Sequence, residues 1–572
     1  MHPLIQHRKS NASLAIALLL ICLAMQPAPI VFGVVPPPDG GYPNFTTAEG
    51  TNALKNLTTG AGNTGVGWYS LFTNSSASYN TGIGAGTLAL SNGDFNTATG
   101  TGALLLNTSG TQNTANGAFA LVHNTTGNQN TATGTQALFT NTGGLRNTAF
   151  GFVALNNNTI GSDNTAVGSQ ALVINTEGEH NTAVGGQALF FNGTGNNNTA
   201  IGDRALFNND TAGENTAVDA QALFGNTGGA GNTATGFQAL FSNMTGSDNT
   251  ATGHSALSSN NIGESNTATG SQALFSNVDG GFNTAVGVLA LGSNVSAVGN
   301  TATGFHALAA NVGGESNTAT GRDALAISDA NFNTADGASA LSNNSTGEDN
   351  TAVGYHTLSS NSTGGGNTAV GAAALIGNST GSSNTALGMN AGLNVSTASN
   401  VICIGAVGAD VSNSCYIGNI FGQTSSGGSA VFINNNGKLG TMTSSKRFKE
   451  QIKPMGEASE KLFALRPVTF HYKKEIDPSD TSQFGLVAED VEEVSPDLIV
   501  RDNDGRPYSV RYDQVNAMLL NEFLKEHQKV AVQQKQIEAL TMQLKQQEAR
   551  IQKISDLLDM TKPTAQLVNR GQ

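Results

Sequence analysis

Ser444 and Lys449 are a pair whose types and spacing could do covalent chemistry. They stand five apart in the run Thr443-Ser444-Ser445-Lys446-Arg447-Phe448-Lys449-Glu450-Gln451-Ile452, directly after a strand-like K-L-G-T-M-T. A serine hydroxyl is a weak nucleophile until a base takes its proton. A lysine amine can be that base when burial or a neighbouring cation lowers its pKa toward neutrality. Lys446 and Arg447 are the candidate cations. By themselves these residues are also what an ordinary polar linker contains.

Three further stretches follow in order: L-R-P-V-T-F-H-Y-K from Leu465, F-G-L-V-A-E-D-V from Phe484, and Y-S-V-R-Y-D-Q-V-N-A-M-L-L from Tyr508. Together with S-S-K-R-F-K-E-Q-I they resemble the C-terminal intramolecular chaperone of phage endosialidase tail spikes. That family of self-cleaving serine peptidases also includes the cleavage domain of myelin-regulatory-factor-like proteins. Its pattern, Ser-Asp-x-Arg-aliphatic-Lys-x-x-Ile, sets Ser444 on the nucleophile, Arg447 on the supporting arginine, Lys449 on the lysine and Ile452 on the isoleucine. Ser445 stands where the family has Asp, and Phe448 where it has an aliphatic residue; the first change bears on the rate of cleavage. The resemblance implies a homotrimer that helps its upstream fibre to fold and then cuts the bond before the serine, here Thr443–Ser444. The implied chemistry is attack by the Ser444 hydroxyl on the Thr443 carbonyl with Lys449 as base, once per chain, with no substrate pocket and no cofactor.

The elements that would position this pair are unlike each other. The chain has 572 residues, of which 71 are Gly and only 12% are charged, which does not suit an ordinary globular enzyme. From Ser444 onward there are 19 basic and 20 acidic residues, which leaves 7 basic and 20 acidic before it. The upstream region therefore carries 13 of the 14 net negative charges and offers no basic footprint for nucleic acid. Residues 1–33 combine His7-Arg8-Lys9 with the apolar run Leu14 to Met25, the layout of a secretory signal. An uncleaved signal would be a membrane anchor; in both cases the expected location is secreted or cell surface. A Pro/Gly-rich lead follows at 34–50.

In the region 51–422, Asn-Thr recurs from Asn63 to Asn384 in steps of 17 residues, twice shortened to 16, around the unit N-T-A-x-G-x-x-A-L-x-x-N-x-x-G-x-x. A fixed period of this length marks a solenoid whose turns stack on one another. Each unit has room for two short strands and two turns, with T-A-x and A-L as the interior and with Gly, Asn and Gly as turn residues. Twenty turns at about 4.8 Å each make a rod of about 95 Å. The unit resembles the head repeats of trimeric autotransporter adhesins, most closely at Asn400 to Gly405 and Asn413 to Gly418, where the step contracts to 13. That resemblance implies a trimeric left-handed roll; the adhesins' C-terminal anchoring barrel has no counterpart. Asn-x-Ser/Thr sequons read as a by-product of the repeat, and histidines such as His123, His180 and His254 fall at different points of it and make no metal cluster. Thr-Ala-Thr occurs in too few units for an ice-binding face. Cys403 and Cys415, one position out of register, are expected on opposite strand faces, which does not favour a disulfide between them but leaves their pairing open.

The linker and hairpin 423–443 turn about Asn-Gly. The chaperone region 444–518 is expected to be α+β: helix at Glu457 to Leu465, strands at Val468 to Lys473, Phe484 to Ala488 and Tyr508 to Tyr512, and helix again by Gln514. Heptads then run over 519–560, with Phe523, Val530, Ile537, Leu544, Ile551 and Leu558 at one core position, before a short tail at 561–572. The expected molecule is mainly β: a β-solenoid, a small α+β chaperone and a C-terminal coiled coil, self-associating as a homotrimer. Its function would be that of an exported adhesin-like fibre whose chaperone cleaves itself off. Two alternatives stay open. In one, the protein is a surface adhesin whose C-terminal domain stays attached. In the other, it is a glycan-cutting tail spike, although Glu177, Glu214, Glu264 and Glu315 sit in variable turns and form no evident pair. The ligand of the repeats, glycan or other, is not legible.

Overall fold

The computed structural model describes residues 43–434 and 436–561, so the expected signal segment, most of the lead and most of the tail lie outside the described residues. The chain divides into two units, Met1–Gln423 and Thr424–Gln572. In the first, β1 (Thr47–Glu49) begins a parallel sheet of 23 three-residue strands that ends at β23 (Cys415–Ile417). Each strand pairs with the strand of the next turn, so Thr lies over Thr and Ala over Ala, as in Thr182↔Thr199 and Ala183↔Ala200. The alanine of each T-A-x points inward and is fully buried from Ala98 to Ala352; the residues on either side of it point out.

The second half of the unit is not a strand. In the turn from Asn181, Gln187 and Leu189 adopt φ of 55° and 50°, left-handed values that recur in almost every turn. The backbone there zigzags, so that amides reach alternately back and forward: Gln187 N–H donates to Ser169 O at 3.0 Å and Leu189 N–H to Ala205 O at 2.9 Å. This satisfies the ladder without extended dihedrals and turns Ala188 and Leu189 into the core. The expected pair of strands per turn is thus one strand and one hydrogen-bonded arc. Outside the arc, Phe190, Phe207, Phe224 and Phe241 stack on one another with centroids 5.1–5.2 Å apart.

The asparagines do more than turn the chain. Both are fully buried in every regular unit and form two amide ladders along the solenoid. The Asn181 side chain donates to Asn164 Oδ1 at 3.1 Å and to Gly195 O at 2.8 Å, and Asn192 donates to Asn175 Oδ1 at 2.7 Å and to the same Gly195 O at 2.8 Å. The sequons at Asn192 and Asn209 belong to these ladders, where no glycan could be attached in the folded chain. Of the two glycines, Gly185 has φ of 135° and needs that freedom. Gly195 has no such φ; a Cβ there would lie 2.3 Å from Ala212 O, and the turns that carry Ala212 or Ala297 at the equivalent place show that the backbone can shift to admit one.

Two of the shortened turns are repaired by carboxylates. Between Asn317 and Asn333, Asp329 Oδ1 accepts from the amides of Val312, Gly313 and Gly314 at 2.6–3.1 Å, where regular turns use a main-chain carbonyl. In the 13-residue step, Asp410 accepts from the amides of Ser396, Thr397 and Ala398 and from both hydroxyls at 2.7–3.0 Å. Cys403 pairs across to Tyr416 and Cys415 to Ile402; Cys403 is buried, Cys415 is exposed, and both thiols are free.

The second unit opens with the hairpin of β24 (Val431–Ile433) and β25 (Leu439–Thr441). The expected helix after Glu457 is a 3-10 stretch, Gly456–Ala464. Two antiparallel pairs follow, β26 (Val468–Phe470) with β27 (Gln483–Gly485) and β28 (Ile499–Arg501) with β29 (Pro507–Val510). Between them lies α1 (Ala488–Val494), which takes over where a strand was expected to run on to Ala488. The long helix α2 (Tyr512–Met560) has 49 residues. Val491, Leu498, Ile499, Val510, Val515 and Met518 form the buried core. Beyond it the heptad residues Phe523, Val530, Ile537, Leu544, Ile551 and Leu558 are 55–66% exposed, an apolar seam without a partner in the single chain.

Candidate active site

Ser444 follows the second hairpin strand in extended chain, and the next residues close one 3-10 turn, Lys446–Phe448. Phe448 N–H donates to Ser445 O at 3.0 Å and Lys449 N–H to Lys446 O at 3.2 Å. Fully extended, five residues would span about 17 Å. The turn folds the segment back, so that Lys449 Nζ lies 3.0 Å from Ser444 Oγ, within hydrogen-bond reach of the atom it would deprotonate. The sequence spacing is therefore one that a single tight turn converts into contact.

The other residues of the pattern take different places. The Arg447 guanidinium lies 4.6 Å from the centroid of the Phe448 ring, a cation–π contact made possible by the aromatic that replaces the family's aliphatic residue. Ser445 makes no side-chain cap to the turn. Thr443, Ser444, Arg447, Lys449 and Ile452 are all exposed in the single chain.

Downstream, a buried polar network ties the 3-10 stretch to α2. Ser459 is fully buried and hydrogen-bonds Glu522; Asn521 donates to Ser459 Oγ at 2.6 Å and to Gly456 O at 3.0 Å. Lys525 donates to Glu522 at 2.7 Å and pairs with Glu460 at 3.3 Å. The Lys525 ammonium, then the Ser459 hydroxyl, hold the Glu522 carboxyl below the usual carboxylate range. Nothing in the sequence marks Ser459 or Glu522, because they meet 63 residues apart. The network anchors the segment that follows the Ser444 turn on the first turns of the long helix.

No curated protein and no solved structure matches the chain. Among the described residues, no helix is long and apolar enough to cross a membrane. The match that is found begins at the serine of the pair and stops short of Tyr508: residues 444–500, at the C-terminal side of a β-solenoid, match the family model described as chaperone of endosialidase.

Proposed function

We propose that this protein is an exported trimeric fibre whose C-terminal region assembles three chains and then releases itself at Thr443–Ser444. Support comes from one observation above others: the Lys449 amine sits 3.0 Å from the Ser444 hydroxyl at the first residue of the chaperone match. The exposed heptad seam of α2 fits a three-stranded coiled coil, which would bring the chains into register before the non-local pairing of the solenoid begins. Packing of the chains around the Ser444 turn would remove water from the lysine and favour its neutral form, so that cleavage follows assembly. Ser444 Oγ then attacks the Thr443 carbonyl carbon as Lys449 takes the hydroxyl proton, and the Ser444 nitrogen leaves as an amine. Water hydrolyses the resulting ester, giving a Thr443 carboxylate and a free Ser444 amino terminus. The test is N-terminal sequencing of any C-terminal fragment from the wild-type, Ser444→Ala and Lys449→Ala chains. A fragment that begins at Ser444 and is absent from both variants is the expected result; a fragment that persists in either rejects the pair.

Retention of the C-terminal region, with the same trimer acting as an uncleaved adhesin, is the second reading. It is favoured by Ser445, which supplies no carboxylate where the family has one. A single full-length band in mature material would decide for it.

A further inference from the structure

The outward face of the solenoid sheet has no role in the chemistry above. Parallel in-register pairing stacks its two exposed positions into ladders that run the length of the unit. The first is threonine in every strand from Thr47 to Thr385. The third is valine, isoleucine, leucine, phenylalanine or threonine in nearly every strand; Glu49 and Asp336 are its charged members and Asn116 its one amide. Most of its aliphatic side chains stand open to solvent, as Val184 at 36%, Ile201 at 42% and Leu387 at 51% do, while Val66, Val167, Val218 and Val353 are half-buried. Charge on this unit gathers in the turns instead, at Arg146, Asp163, Glu177, Glu179 and Glu214.

We propose that this ribbon is the lateral contact between neighbouring copies of the chain, lying parallel and in register; the proposal rests on the trimeric reading above. Its composition is that of a covered sheet face, since β-branched aliphatic and threonine side chains pack well on a pleated surface. Its size fits as well. Strands about 4.8 Å apart and about 10 Å long give a face of about 1,000 Å², close to the roughly 800 Å² per partner of a stable interface. The repeat selects the occupant. A surface with any other period drifts out of phase within a few turns, whereas a second copy aligned from a shared C-terminal end meets its own spacing at every turn. The Phe190 to Phe241 stack is a poorer candidate, because those rings are half-buried against one another.

The chain carries its own reporter on this face. Past Thr385 the first ladder continues through Ile402 to Cys415, whose thiol is exposed, while Cys403 points into the core. The experiment uses full-length chains in a Cys22→Ser, Cys403→Ala background, treated with a short bismaleimide and run on denaturing gels. Three versions are compared: native Cys415, Val184→Cys with Cys415→Ser, and Glu177→Cys with Cys415→Ser. Chains joined through Cys415 and through Val184→Cys are expected, with Val184→Cys linking at least about tenfold faster than Glu177→Cys, as the higher local concentration at a contact requires. If the chain sediments as a trimer and Val184→Cys links no faster than Glu177→Cys, the ribbon is not the contact. A chain that sediments as a monomer overturns the trimeric reading itself, so the two failures are told apart.

Discussion

Replacing Asn192 with alanine removes one rung of a buried amide ladder. Asn192 donates to Asn175 Oδ1 and Gly195 O, and accepts from Asn209 at 2.8 Å and from Asn198 at 3.3 Å. Three of those partners keep a second bond: Gly195 O from Asn181, Asn209 to Ala212 O at 2.7 Å, and Asn198 to Ala212 O at 2.9 Å. Asn175 Oδ1 is left with none, in a residue that is fully buried. An orphaned buried acceptor costs about 1–3 kcal/mol and each of the two lost donated bonds about 1 kcal/mol net, so the local destabilisation should reach about 3–5 kcal/mol before the two accepted bonds are counted. Because a solenoid unfolds by neighbouring turns and not as a single unit, the readout should be local. Amide hydrogen exchange at Thr176 and Glu177, whose N–H groups bond to Gly193 O, should accelerate by at least about a hundredfold, the equivalent of 3 kcal/mol. Asn196→Ala, which removes an exposed acceptor for the Glu179 amide, should change exchange there far less. Equal protection in the Asn192→Ala chain and the wild type would show that the ladders contribute nothing and that stacking alone holds the turns.

Gly185→Ala places a Cβ 2.4 Å from Gly202 O at φ of 135°, so about 3 kcal/mol or more should be lost and limited proteolysis should cut within the neighbouring turns; an uncut rod would contradict this. Asp410 has its pKa lowered, first by the Ser396 hydroxyl and then by three main-chain amides. A depressed carboxyl contributes stability above its unfolded value of about 3.9 and loses it as pH falls through the folded value, so exchange at Ser396 to Ala398 should stay slow at neutral pH and quicken only below about pH 4. Asp410→Ala should make those amides exchange fast at all pH values, and an unchanged profile would remove Asp410 from the turn. Ile537→Asp combined with Leu544→Asp places carboxylates in the heptad seam and should convert the proposed trimer to monomers in sedimentation; a trimer that persists in the variant would mean that α2 does not hold the chains together.

The period of the solenoid was legible because one residue per turn repeats its letter, and the inward Ala and Leu followed from their regular place in the unit. The asparagine ladders were not. Asn is expected in turns, and no single-sequence pattern distinguishes an exposed turn amide from one such as Asn192 whose partners lie 17 residues away. Asp329 and Asp410 were equally hidden, since a carboxylate that replaces a peptide carbonyl looks like one more variable turn residue. In the second unit the hairpin from Val431 and the long helix were visible in local sequence, whereas α1 and β28 are short and depend on packing around Val491 and Ile499. The register of Cys403 and Cys415 followed from counting alone. At the candidate site the identities of Ser444 and Lys449 came from the pattern of neighbouring residues. Their separation came from the 3-10 turn, and the hold of Phe448 on Arg447 came from neither pattern nor spacing.

Because every regular turn presents the same carbonyls, amides and asparagine side chains to the one above and the one below, a whole 17-residue unit is a modular part. Gene duplication or deletion of one unit would alter reach by about 4.8 Å and leave both seams chemically identical. Length in this protein can therefore evolve as a free variable, like adding links to a chain, while the stretch that matches the endosialidase chaperone stays untouched.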